Sequence, residues 1–312
     1  MTITPIAPPS PFGTGVASGP ILHDSLGGTF RPLRWFSSDG LALAGRIYGH
    51  DHFPQRVVLC LPGLTRNARD FEAIAAHLAS VGMSVIAAES RGRGQSQWDP
   101  SPGGYSTQQE LADALALVDG LSLARISVIG TSRGGLLTML MAVTRPELIA
   151  RAVLNDIGPR VELGGLLKIR GYVGRGLGGA DWATAVRSLQ VSQSEQFPSL
   201  TAQGWERYAR RLWRDDGGKP VNDYDPALAL GLAGLSEATV IPELWEAFAA
   251  LATQPVLVLR GALSDILAEA TTVEMARRHS NVAVHTIADQ GHAPFLDDED
   301  TMAAIADFLK RP

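Results

Sequence analysis

The chain is poor in cysteine, in long apolar runs and in surplus positive charge, and each shortage removes a class of protein. Cys60 is the only cysteine among 312 residues, so no intrachain disulfide can form and a reducing compartment fits. It lies inside the strand-like "RVVLCLPG", where the expected role is that of a small buried hydrophobe. No apolar run approaches the roughly 18–20 residues of a membrane span; about the longest is "LLTMLMAV" at 136–143. The net charge of −5 gives no electrostatic reason to bind nucleic acid or an anionic membrane. The N-terminal "MTITPIAPPSPFGTG" lacks the basic and then apolar regions of a secretory signal. A cytoplasmic location is expected. No internal repeat or low-complexity tract is present.

What the chain does have is material for a core: 45% hydrophobic and 19% charged residues, enough for one large α/β domain with an insertion. The Pro, Gly, Ser and Thr content of residues 1–28 predicts a flexible N-terminal arm. Beyond it, "LRWFSSDGLALAGRIYG" holds two β-rich runs around Ser-Asp-Gly, a hairpin signal. Short apolar runs at 55–63, 83–90, 124–132, 150–158, 254–262 and 281–289 read as strands, the first of them suited to burial on both faces. Helical spacing over 68–82, 105–121 and 134–149 separates the first of them, and a helix closes the chain. Such alternation predicts a mostly parallel central sheet with helices on both faces. It breaks between 160 and 250, a segment rich in aromatics that reads as a helical insertion. The expected organisation is therefore a core of 29–159 and 251–312 with a helical cap at 160–250.

Gly130-Thr131-Ser132-Arg133-Gly134 fits G-x-S-x-G between a strand and a helix, the context that motif needs. A sharp turn there holds the serine in an unfavourable backbone conformation, and side chains at the flanking positions would meet neighbouring backbone. The hydroxyl then sits at a helix N-terminus, where partial positive charge favours a developing anion. A serine hydroxyl needs a base to take its proton and a carboxylate to orient that base. In Ser…Asp…His order, Asp265 follows one strand in "VLVLRGALSDIL" and His292 follows the last in "TIADQGHAPF". Ligands of parallel sheets bind at the strands' carboxyl ends, where all three would lie. Asp156 in "LNDIGP" also follows a strand and is the alternative acid, though Asp265 is preferred. Two backbone N–H groups, of Leu64 in "LPGLTRNARDF" and of Arg133, would form the oxyanion hole.

The motifs "LPGLTRNARDF", "ESRGRGQS", "GTSRGG", "LRGALSDIL" and "DQGHAPFLDD" resemble those of the α/β-hydrolases, over residues 33 to 309. The resemblance implies the α/β-hydrolase fold, a cap over the active site, a triad of Ser132, Asp265 and His292, and oxyanion donors Leu64 and Arg133. In place of the frequent His-Gly before the oxyanion residue, this chain has Pro62-Gly63. Ser132 at the elbow argues against haloalkane dehalogenases and epoxide hydrolases, which use aspartate there. Thr131, Arg133 and Ala293 lower the likeness to carbon–carbon bond hydrolases. Capped esterases and enol-lactonases fit better. The expected activity is cofactor-free hydrolysis of a carboxylic ester or lactone of a small, partly apolar molecule. A carbon–carbon bond hydrolase or perhydrolase with the same triad is the alternative, and a catalytically idle binding protein the reading from another class. The cap aromatics Trp182, Trp205, Tyr208 and Trp213 are candidate substrate contacts. The Arg133 side chain could meet a substrate carboxylate, but an ion pair is the preferred reading.

Two further signals carry less. "GRGLGG" at 174–179 fits G-x-G-x-x-G but follows a helical pattern, so the strand–turn–helix unit of a dinucleotide site is missing. His50 and His52 have no further His or Cys at ligand spacing, so no metal is expected. The partner implied is a small-molecule substrate; the motifs do not specify its identity or the oligomeric state.

Overall fold

A computed structural model describes residues 15–51, 53, 56–101, 103–176 and 181–311. The chain begins with two short strands, β1 (Ala17–Ser18) and β2 (Leu22–His23), then the hairpin β3 (Thr29–Phe36) and β4 (Ala42–Tyr48). The alternating part runs β5 (Val57–Leu61), α1 (Glu72–Ser80), β6 (Ser84–Glu89), α2 (Thr107–Gly120), β7 (Ile126–Thr131), α3 (Arg133–Thr144) and β8 (Ile149–Asn155). The insertion contributes α4 (Leu163–Tyr172), α5 (Trp182–Gln193), α6 (Ala202–Leu212), β9 (Trp213–Asp216), β10 (Lys219–Asn222) and α7 (Trp245–Ala249). The chain returns with β11 (Val256–Gly261), α8 (Glu269–Arg278), β12 (Val282–Ile287) and α9 (Glu299–Lys310).

The main sheet has the order β1-β3-β4-β6-β5-β7-β8-β11-β12, with β2 also on β3. Pairing is antiparallel from β1 to β6 and parallel from there to β12. Strands covered on both faces have no polar side, which is why β5 reads Val-Val-Leu-Cys-Leu without alternation and is buried throughout. Its residues still alternate between faces: Leu59 packs with Leu117 of α2 and Leu137 of α3, while Val58 and Cys60 pack with Ile74 of α1 and Ile305 of α9. Each such aliphatic side chain contributes about 1.5–3 kcal/mol by leaving water. Burial pushes the Cys60 thiol pKa up, in keeping with a core role. A side chain caps α2, with the Ser106 hydroxyl accepting from the Gln109 N–H at 3.1 Å.

Three features differ from the sequence reading. From residue 15 onward the arm is docked rather than free, since β1 and β2 pair with β3; residues 1–14 of that arm lie outside the described residues. The insertion is not purely helical, because β9 and β10 form an antiparallel ribbon over α5. Its last turn belongs to the core, where Ala247, Phe248 and Leu251 join the cluster around α3. Gly174–Gly176 follow α4 as expected, with 177–180 of that glycine-rich run and His52 outside the described residues. Among the described residues no helix is long and apolar enough to cross a membrane.

Candidate active site

Ser132 stands between the end of β7 and the start of α3 with φ +50° and ψ −112°. That region is unfavourable for a side chain larger than glycine, by about 1–3 kcal/mol, and is held only where the surroundings impose it. Two glycines do so. A Cβ on Gly130 would lie 2.5 Å from the Gly134 carbonyl oxygen, and one on Gly134 would overlap the carbonyl oxygen of Leu61 in β5. The Ser132 N–H donates to the Asn155 carbonyl at 2.9 Å, which ties the turn to the end of β8.

His292 lies in the loop after β12, its side chain nearly buried. Nε2 is 2.8 Å from the Ser132 Oγ and Nδ1 is 2.7 Å from Oδ2 of Asp156. Asp156 is fully buried. Its Oδ1 accepts from the Gly261 N–H at 2.9 Å, and its Oδ2 also accepts from the Ser264 hydroxyl at 2.5 Å. The structure thus brings Ser132 and His292 together as expected but puts Asp156, not Asp265, on the imidazole. Sheet register supplies the reason. Thr131 and Asn155 are paired across β7 and β8, so Ser132 and Asp156 are the next residues on adjacent strands. The β11 loop takes part through Ser264 and the Gly261 amide, while Asp265 turns to the insertion, where its Oδ2 lies 2.7 Å from Lys168 Nζ on α4. That contact raises the Lys168 pKa. A Cβ on Gly165 would overlap the Asp265 carbonyl oxygen, so α4 sits directly on this loop.

The turn after β5 carries Leu64, with the Arg66 N–H donating to the Gly63 carbonyl at 3.1 Å. Arg93, from the "ESRGRGQS" loop, holds this turn: its Nε donates to the Leu64 carbonyl at 2.6 Å, and its Nη1 is 2.7 Å from Glu110 Oε1. The other Glu110 oxygen binds Arg133 Nε at 2.7 Å, and Arg133 Nη2 donates to the Tyr105 carbonyl at 3.1 Å. The Arg133 guanidinium is thus engaged in a structural ion pair. One buried Arg93–Glu110–Arg133 network holds both residues expected to supply oxyanion donors. As the first residue of α3, Arg133 has an N–H with no intrahelical acceptor.

Ser132, His292 and Leu64 open on a cavity of about 700 Å³ between the sheet's carboxyl edge and the insertion. Of the four aromatics expected there, Tyr208 and Trp213 line it. Trp205 instead fills the core of the insertion with Leu189, Phe197 and Ala209, and Trp182 donates from its ring to Asp215 at 2.6 Å under the Arg210 guanidinium. Lining residues that sequence reasoning missed include Arg66, Arg211 and Phe295. Arg66 and Phe295 fall within quoted motifs, and Arg211 sits one helical turn from Tyr208, the only signals that could have found them.

Residues 56–299 match the family model for the alpha/beta hydrolase fold. The chain belongs to the α/β-hydrolases. Like them it is a hydrolase. It is 32% identical to a 3-hydroxybutyrate-oligomer hydrolase of Cupriavidus necator over 81% of this chain and 88% of that one. It is 27% identical to an esterase of Mycobacterium tuberculosis over 80% of each. Among solved structures, an α/β-hydrolase from Novosphingobium aromaticivorans superposes with a TM-score of 0.85 at 45% identity, covering 91% of this chain and 99% of that one.

Proposed function

We propose that this α/β-hydrolase is a serine hydrolase that cleaves a carboxylic ester of a small hydroxy acid through an acyl-enzyme on Ser132. The observation that carries the reading is the unbroken chain of contacts from Ser132 Oγ through His292 to Asp156, at 2.8 and 2.7 Å. Similarity to an enzyme named for 3-hydroxybutyrate oligomers, which are esters, supports the substrate class.

With Nδ1 keeping its proton and donating it in a hydrogen bond to the Asp156 carboxylate, Nε2 is unprotonated and accepts from the Ser132 hydroxyl. As Oγ attacks the ester carbonyl, that proton moves to Nε2 and the carbonyl oxygen becomes an oxyanion. The N–H groups of Leu64 and Arg133 stabilise it; losing one such donor costs about 10²–10³ in rate. Buried Asp156 stabilises the imidazolium. Nε2 then gives its proton to the leaving alkoxide, and a water deprotonated by the same nitrogen releases the acid. An aspartate at the end of β8 serves the imidazole as well as one after β11 would, since the requirement is a carboxylate on Nδ1 and not a position in the chain.

The Ser132→Ala variant tests this reading. It should lose at least about 10⁴ in kcat on p-nitrophenyl butyrate while keeping the wild-type circular dichroism. Activity within tenfold of wild type would contradict it.

A further inference from the structure

The cavity wall carries groups that neutral-ester hydrolysis does not use. Four basic side chains and three carboxylates line it among the described residues, in a chain whose net charge is −5. Two of the basic groups are largely buried: the Arg66 and Arg211 side chains are 16% and 8% exposed. Arg66 follows the Leu64 turn, and a Cβ built on Gly63 would be 3.1 Å from Arg66 Cγ and 3.8 Å from Ser132 Cβ. The stem of Arg66 therefore runs beside the nucleophile. Arg211 comes from α6, and its carbonyl accepts from the side chain of Asn67, the residue after Arg66, at 3.2 Å.

Two aromatic rings join the guanidinium groups. Arg66 Cζ lies 5.3 Å from the Tyr208 ring centre, Tyr208 meets Phe295 edge-on at 4.9 Å, and Arg211 Cζ lies 5.5 Å from Phe295. Each arginine is anchored by one carboxylate. Arg66 uses Nε and Nη2 on Asp70, at 2.7 and 2.5 Å; Arg211 uses Nη2 on Asp297, at 2.6 Å. Arg66 Nη1, and Nε and Nη1 of Arg211, have no protein acceptor among the described residues. An anchored guanidinium has already lost its side-chain freedom, and its remaining donors are oriented for a second planar acceptor. These donors are not fully enclosed, so water or a ligand in the cavity can satisfy them.

We infer that Arg66 and Arg211 form a carboxylate-binding subsite, so that the substrate is an ester that itself carries a free carboxylate. The inference rests on the serine-hydrolase reading above and deepens it. An oligomeric hydroxy acid has this form: its terminal carboxylate lies only a few bonds from the last ester carbonyl. With that carbonyl on Ser132, the acid group reaches towards the arginines, and the Tyr208 and Phe295 rings cover the hydrocarbon between.

The test separates binding from catalysis. Ser132→Ala protein is titrated calorimetrically with the linear dimer of 3-hydroxybutyrate and, separately, with the methyl ester of that dimer. The acid should bind at least tenfold more tightly than the neutral ester. Adding Arg66→Gln or Arg211→Gln should bring the two ligands within about threefold of each other, with Arg66→Lys retaining part of the preference. Equal binding of acid and methyl ester, absence of binding by either, or a preference that survives both substitutions in folded protein would overturn the subsite. Hydrolysis of the two ligands by wild-type enzyme is read independently: failure to cleave either counts against the ester reading and leaves the binding result standing.

Discussion

Replacing Asp156 by asparagine changes one atom of a fully buried side chain, and its effect can be worked out from the contacts. Oδ1 is held by the Gly261 N–H at 2.9 Å, so the new amide nitrogen must occupy the place of Oδ2, 2.7 Å from His292 Nδ1. An amide donor facing Nδ1 forces that nitrogen to accept and moves the imidazole proton to Nε2. Nε2 then points an N–H at Ser132 Oγ, 2.8 Å away, and cannot take the serine proton. Locking a triad histidine in this tautomer costs about 10⁴ in kcat, or about 5.5 kcal/mol at about 1.4 kcal/mol per decade. Asp265→Asn removes only a contact with Lys168, whose side chain is 69% exposed. Such a pair is worth about 0–1 kcal/mol, and less than a tenfold loss follows. The assay is kcat on p-nitrophenyl butyrate for both variants side by side, with circular dichroism to confirm folding. A collapse in Asp265→Asn together with near-normal Asp156→Asn would refute the reasoning.

Other outcomes follow from the packing. Gly134→Ala should destabilise the protein by about 3 kcal/mol in urea titration, the upper end for an overpacked site, because the methyl would overlap the Leu61 carbonyl; a change under about 0.5 kcal/mol would contradict it. Glu110→Gln leaves buried Arg93 and part-buried Arg133 without their anion, a loss of about 3–5 kcal/mol in stability, and should lower kcat as the Leu64 turn loosens; wild-type thermal stability would count against the network. The hydrogen bond from Arg91 holds the Asp39 carboxyl at about 2, below its ordinary 3.8. The stability Asp39 contributes is therefore present above about pH 4 and lost as pH falls towards 2. The gap between wild type and Asp39→Asn should be flat at higher pH and close over that window in urea titrations; a gap that widens on acidification would contradict the assignment.

The alternation of strands and helices was legible because buried parallel strands lack a polar face and the helices between them keep one. The elbow was legible too, since Gly130 and Gly134 answer a steric demand local in sequence. The acid was not. Asp156 and Asp265 both follow a strand, and deciding between them requires knowing that β8, not β11, lies beside β7 and which way each loop turns. Sequence order gives neither. The insertion failed for a related reason: Trp205 and Tyr208 sit three residues apart on α6, yet one closes the insertion's own core and the other faces the cavity. Which side of a short helix meets substrate depends on how α5, α6 and the β9–β10 ribbon pack.

The central claim is that Ser132 is a nucleophile made reactive by His292. Exposure to a fluorophosphonate followed by peptide mass spectrometry tests it most directly. One adduct per chain, on the tryptic peptide of residues 126–133 and fragmenting to Ser132 rather than Ser127, is the predicted result. An unmodified peptide, or a stoichiometric adduct on any other residue, would contradict the account.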